Sequence, residues 1–241
     1  MRAIVGIHAV REALRARTPL AWIAVSRDRR DARIQDLISL ARAAHVNVRF
    51  TAPADLDRLA GAAAPHHQGA VAQAEAKAVL ELEDLLADAP AGFLVALDGI
   101  EDPHNLGAII RGACGAGVDG LLLPARRAVG LTETVERVSA GALEHVRVAR
   151  VGNLVQALTT CQDSGWWLVG LDASAPRTLW NHDFSQRTVL VIGAEGKGLH
   201  ALTRKRCDAL VSIPLAPGVE SLNASMAAGI VLYELVRQRR K

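Results

Sequence analysis

From Phe93 onward, short apolar runs alternate with stretches of helical periodicity, and that alternation restricts the fold class more than anything else in the chain. FLVALDGI, GLLLP, HVRVARV, WWLVGLDA, VLVIGA and ALVSIPL read as buried strands. PHNLGAIIRGACGA and NLVQALTTCQ read as helices between them. Strand, helix, strand order requires crossover connections, so the expected class is α/β with a mostly parallel sheet.

The first 75 residues read as a separate, smaller α/β unit. Ile7, Val10 and Leu14 have helical spacing, as do Ile34, Leu37, Ile38 and Ala41, with AWIAVS, VNVRF and GAVAQAE as strands. Lys77 to Gly92 is acidic and ends in Ala, Pro and Gly, and Leu82, Leu85 and Leu86 suggest a short helix within a connector. The expected organisation is a first domain over 1–76, a connector over 77–92 and a second domain over 93–241. A last helix over Leu222 to Val236 would align Leu222, Met226, Gly229, Ile230 and Tyr233 on one face. The crowding of Ala227 to Gly229 permits the close backbone approach of an interhelix or dimer contact.

With 241 residues and 50% hydrophobic content, the chain can bury a core without staples. Cys114, Cys161 and Cys207 are far apart and lack CxxC or His-paired spacing, so neither a disulfide framework nor a zinc site is indicated and a reduced, cytoplasmic setting fits. No apolar run reaches membrane-spanning length, and charge interrupts the start before a leader could develop. Net charge is only +3, but it is uneven: residues 1–76 hold 11 Arg against 7 acidic residues, and residues 77–241 hold 17 basic against 18 acidic ones. Basic clusters stand at Arg27, Arg29, Arg30 and Arg33, at Arg126 and Arg127, at Arg204 to Arg206, and in the tail at Arg237, Arg239, Arg240 and Lys241. Such clusters attract phosphate backbones; the alternative for any one of them is a solvated face.

Three late segments carry candidate chemistry. In DPHNLGAIIRGACGAGV, Asn105 and Arg111 supply a carboxamide and a guanidinium where a helix follows a strand, donors suited to ribose and phosphate. Their i, i+6 spacing keeps them off one helical face, so Asn105 belongs to the turn or first helical residues and Arg111 reaches back; the alternatives are a helix cap and a surface ion pair. VIGAEGKGL is a strand running into Gly193, Gly196 and Gly198 with one carboxylate, Glu195. It satisfies neither the Walker A nor the Rossmann pattern, and its bland alternative is a tight turn after a buried strand. In SIPLAPGVESLNASMAAGIVLYEL, Pro217 and Gly218 force a turn and Ser221 sits where a helix N-cap belongs, with Glu220 favoured nearby. His104 beside a proline is read as structural, and His66 and His67 as loop residues without metal-site spacing.

In order and chemistry these segments resemble the three signature motifs of the SpoU/TrmH class of RNA 2'-O-ribose methyltransferases, within the knotted SPOUT superfamily. IVGIHAVREAL followed by HHQGAVA resembles the N-terminal domain of the RlmB-like subgroup, whose members methylate a guanosine ribose in the peptidyl-transferase loop of 23S rRNA. The resemblance implies a deep trefoil knot in the C-terminal domain, an L30e-like RNA-binding first domain, S-adenosylmethionine as methyl donor, no metal, and a homodimer with RNA lying across both subunits. It places donor binding at Gly193, Ile213 and Leu222. Arg111 would meet the target phosphate and ribose oxygen, Asn105, Ser221 and Asn223 would complete the hydrogen-bond set, and Glu195 would orient Arg111 or the ribose. Ala224 stands where a β-branched residue is expected, a departure that leaves the polar positions intact. The rival substrates are another rRNA or tRNA nucleotide; the rival classes are a catalytically silent RNA-binding protein and a nucleotide-dependent oxidoreductase, the latter disfavoured by the absence of an early GxGxxG.

Overall fold

The computed structural model describes residues 1–240, so Lys241 of the basic tail lies outside the described residues. The chain forms two compact units. The first contains β1 (Arg2–Val5), α1 (Ile7–Arg15), β2 (Leu20–Ser26), α2 (Ala32–Ala43), β3 (Val48–Thr51), α3 (Pro53–Ala60) and β4 (Ala70–Ala74). Its sheet has the order β1-β4-β2-β3, antiparallel except where β2 pairs with β3. Strand alternation explains the layering: Ile23 and Val25 face α1 and α2 with Val10, Ile34 and Leu37, while Ala24 and Val71 turn to the opposite face and meet Leu56 of α3. The sequence pattern missed β1 and α3. Both are short, and β1 gains its pairing from β4, far along the chain.

Residues Leu131–His145 also belong to the first unit, although the sequence reading placed them within 93–241. They form α6 (Glu133–Ser139) and a 3-10 turn, and bury Val135 and Leu143. Arg2 holds them through Glu136 (2.9 Å) and Glu144 (2.8 Å). Thr18 donates to Glu144 Oε2 (2.7 Å) and Lys77 Nζ to the Glu144 carbonyl (3.0 Å). The Arg2 side chain is 11% exposed and that of Glu144 3%, so each charge relies on the other for its solvation.

The second unit runs α4 (Leu82–Ala87), β5 (Phe93–Asp98), α5 (Pro103–Gly115), β6 (Gly120–Pro124), β7 (Arg147–Val151), α7 (Leu154–Asp163), β8 (Trp167–Leu171), β9 (Thr188–Gly193), α8 (Ala201–Arg206), β10 (Ala209–Val211) and α9 (Ala224–Arg239). Its six strands are ordered β10-β8-β9-β5-β6-β7 with every pairing parallel, as the alternation requires. α4 and α7 cover one face through Leu85, Leu86, Leu158 and Cys161. On the other, α5 packs against α9 and α9 against β9. After β5 the chain moves toward β6, and after β9 it moves toward β10, so the connections diverge between two adjacent central strands. Divergence of this kind opens a crevice at the carboxyl ends of the strands, the usual place for a ligand in an open parallel sheet. Among the described residues, no helix is long and apolar enough to cross a membrane.

Candidate active site

The three late segments converge at the carboxyl ends of β5 and β9, where Asp98 is in register with Gly193. Asp102 caps α5 by accepting from the His104 amide (2.9 Å), and Pro103 opens the helix. Asn105 therefore occupies the first turn, where its carboxamide is buried, being 7% exposed as a residue. Its Nδ2 donates to Glu195 Oε2 (3.1 Å) and its Oδ1 accepts from Asn223 Nδ2 (2.8 Å). Asn223 Nδ2 also donates to the same Glu195 oxygen (3.0 Å). Two carboxamides thus converge on one carboxylate oxygen, which orients both amides and leaves Glu195 Oε1 free among the described contacts.

The cap of α9 departs from the sequence expectation. Asn223 occupies it, with Oδ1 accepting from Ser225 N (2.9 Å), Ser225 Oγ (2.6 Å) and Met226 N (3.3 Å). Ser221 lies outside the helix, exposed, and makes no hydrogen bond among the described residues. Asn and Ser are comparable caps, so residue type alone could not choose between positions two apart. Arg111 is exposed on α5 without an ion pair among the described residues, and Glu195 bonds to the two asparagines rather than to it. The structure therefore brings Asn105, Glu195 and Asn223 together and leaves Arg111 and Ser221 uncommitted.

Gly193 ends β9, and a Cβ there would collide with the backbone of Gly198 and Leu199. Only glycine lets the loop fold back so tightly; Ala194 N then donates to Gly198 O (3.1 Å) and Gly198 N to Ala194 O (2.8 Å). Gly196 (φ 73°) and Gly198 (φ 65°) supply the left-handed turns that present Glu195. A buttress missed by the sequence reading holds this loop from behind: Asp98, buried at the end of β5, accepts from His200 N (2.8 Å) and meets His200 Nδ1 (2.8 Å). The partners are 102 residues apart, and no local pattern signals the pair.

Ile213 and Leu222 flank the loop that leads into α9, each half-buried. Their backbone amides, like that of Leu215, have no hydrogen-bond acceptor among the described residues. Unspent donors beside half-buried aliphatic side chains suit a ligand with both polar and apolar parts. Burial pushes the Cys161 and Cys207 thiols up to about 12, so neither is poised as a nucleophile. His67, read as a loop residue, contacts Asp57 (3.1 Å) and accepts from Gly69 N (2.8 Å), a local brace in the first unit. Among the described residues, no group of three His, Cys, Asp or Glu side chains is arranged to hold a metal.

Comparison with known proteins finds matches along almost the whole chain. Residues 92–233 match the profile of the SpoU rRNA Methylase family, and residues 3–80 match the profile described as RNA 2'-O ribose methyltransferase substrate binding. The chain is 45% identical over 244 residues to the 23S rRNA (guanosine-2'-O-)-methyltransferase RlmB of Ralstonia nicotianae, covering 99% of this chain and 96% of that one. It is 43% identical over 242 residues to the protein of the same name in Shewanella oneidensis, covering 98% and 97%. Among solved structures, the SpoU methyltransferase AviRb from Streptomyces viridochromogenes, in complex with its cofactor AdoMet, superposes with a TM-score of 0.82 at 28% identity, covering 99% of this chain and 90% of that one.

Proposed function

Because the chain belongs to the SpoU rRNA methylase family, we propose that it transfers a methyl group from S-adenosylmethionine to the ribose 2'-hydroxyl of a guanosine in the peptidyl-transferase loop of 23S rRNA. The observation that carries the reading to these residues is the convergence of Asn105 and Asn223 on Glu195 beside the Gly193 loop. When bound, the donor supplies a methyl group activated by a sulfonium. Ile213 and Leu222 hold it through backbone amides that the fold leaves unspent, and Gly193 admits it by carrying no side chain.

The protein's own contribution is positioning and charge. Arg111 receives the target phosphate and the ribose oxygen, stabilising the negative charge that develops as the 2'-hydroxyl passes its proton to solvent and its oxygen takes the methyl group, whose bond to sulfur breaks to leave a neutral thioether. A guanidinium carries five N–H donors and no acceptor, so its role is electrostatic. Glu195 Oε1 accepts from a ribose hydroxyl, while Oε2 is held by the two asparagines. Ser221 adds an exposed hydroxyl at the rim. Pre-set donors that need not reorganise during reaction are where such a site gains rate.

The same reading includes a deep trefoil knot formed by the segment from Ser212 into α9, and a homodimer in the cytoplasm. Support for the dimer comes from the face of α9 opposite its buried side. Met226 is 57% and Tyr233 56% exposed, Leu222, Gly229 and Ile230 are half-buried, and Val231, Leu232 and Leu235 face inward. An apolar stripe of this kind fits isologous pairing with a second copy.

The test is incubation of the purified protein with 23S rRNA from a strain lacking its gene, using labelled donor, followed by nucleoside mass spectrometry. One 2'-O-methylguanosine in the peptidyl-transferase loop is expected. Methylation of a base, of another nucleotide or of tRNA instead would overturn the assignment.

A further inference from the structure

Building on the RNA-substrate reading above, we propose that a cavity on the first unit, floored by Phe50 and ringed by arginines, holds one unstacked base of single-stranded RNA. The cavity measures ≈ 370 Å³ and is lined by Arg27, Arg29, Arg30, Gln35, Ile38 and Phe50. Phe50 is 61% exposed on β3, the edge strand of its sheet. Its register partner Val25 points to the same side and is fully buried, so the exposure belongs to Phe50's place at the edge and not to a polar face. An uncovered phenyl ring leaves burial energy unrealised until a flat surface covers it, and the guanidinium groups beside it favour a ligand that also carries negative charge.

The arginines divide by role. Arg29 is spent on structure: it donates to Asp31 Oδ2 (2.8 Å) and to the Gln68 carbonyl, and its side chain lies over Gly69. Arg27 has only Asp28 nearby, at 3.8 Å with both side chains more than half exposed, and Arg30 has no ion pair among the described residues. The Gln35 carboxamide likewise has no hydrogen bond among them. Arg30 and the loosely paired Arg27 fit the phosphates on either side of a nucleotide, the Phe50 ring offers a stacking face, and Gln35 offers a donor and an acceptor to a base edge. A duplex keeps its bases stacked on one another and cannot deliver one to the ring. An apolar peptide would leave Arg30 without counter-charge. The match of residues 3–80 to a substrate-binding profile for RNA decides between RNA and an acidic peptide.

The experiment measures fluorescence anisotropy of a short fluorescein-labelled single-stranded RNA, and of the same sequence as a duplex, with the full chain and no methyl donor. Phe50→Ala should weaken single-strand binding about tenfold, the order of one lost base-on-aromatic stack, and leave duplex binding unchanged. Phe50→Trp should retain affinity. Arg30→Gln should weaken binding for every sequence and lower the salt slope by about one. Wild-type single-strand affinity in Phe50→Ala, an equal loss for the duplex, or equal displacement of the RNA by polyglutamate would each overturn the proposal. Phe50-dependent binding by a protein that methylates no RNA would overturn only the methyl-transfer reading. Methylation of rRNA without any Phe50 dependence of binding would overturn only this one.

Discussion

Asn223 Nδ2 lies 2.8 Å from Asn105 Oδ1, joining the cap of α9 to the first turn of α5 across 118 residues of sequence. One side chain thus performs two tasks, and they can be separated. Asn223→Ala should lose the cap, costing about 1 kcal/mol of stability, along with activity. Asn223→Asp keeps the capping oxygen but sets a carboxylate against Glu195, which Asn223 Nδ2 now meets at 3.0 Å. That variant should melt near the wild type while turnover falls by about ten- to a hundredfold, the worth of one charge-assisted bond. Repulsion raises the pKa of one of the paired carboxyls, so activity should partly return as pH falls and the protonated group donates again. Normal turnover of the Asp variant at neutral pH would rule out a role for the contact.

Arg111→Ala should lower the methyl-transfer rate by about a hundredfold or more and leave donor affinity and the melting transition as they are. The side chain is exposed and has no ion pair among the described residues, so nothing structural depends on it. Single-turnover kinetics with calorimetry of donor binding separates the two effects.

Gly193→Ala should do the reverse. Its Cβ meets backbone, which cannot give way as a side-chain tip can, so the loop must open at a cost of about 1–3 kcal/mol. Calorimetry should show weakened donor binding in a protein whose RNA affinity is unchanged; tight donor binding would show that the closed loop is not part of the pocket.

At Gly229 a Cβ would meet nothing within 4 Å inside the protomer. Gly229→Arg should therefore leave the protomer folded and shift sedimentation at micromolar concentration from dimer to monomer. A dimer that survives the substitution would place the interface elsewhere.

Arg2→Ala leaves Glu136 and Glu144 buried without their partner, and should destabilise the first unit by about 3 kcal/mol. Deleting residues 1–76 removes the whole clasp and uncovers Val135 and Leu143. Dye binding by that fragment should rise relative to the full chain, so loss of RNA affinity in the deletion must be compared with point variants before it is assigned to RNA contacts.

Much of this architecture is legible in the sequence because it is written locally. Six parallel strands announce themselves as apolar runs, and Leu82, Leu85 and Leu86 mark the short helix α4, although it packs into the core of the second unit and not into a separate connector over 77–92. What escapes is whatever depends on partners far apart. Asp98 and His200 meet across 102 residues, and β1 owes its pairing to β4. Leu131–His145 follows the expected strand-to-helix rhythm, and nothing in that rhythm says which sheet the helix covers. At the site, the motif residues were identifiable by type and order, but not which of them touch. Glu195 turns to Asn105 and Asn223 rather than to Arg111, and the cap falls on Asn223 instead of Ser221.

The split composition of the first unit bears on how the chain is made. Domains ordinarily fold in the order in which they leave the ribosome, at about 5–20 residues per second. Here the opening four-stranded sheet is complete by Ala74, but the carboxylates that neutralise Arg2 arrive only with Glu136 and Glu144, after β5 and β6 have been synthesised. The nascent first unit therefore waits with an unpaired guanidinium and an uncovered apolar patch while the next unit has begun. Its maturation is interleaved with that of its neighbour, and a stalled or truncated product ending before residue 145 would present an unfinished surface to the quality-control machinery of the cell.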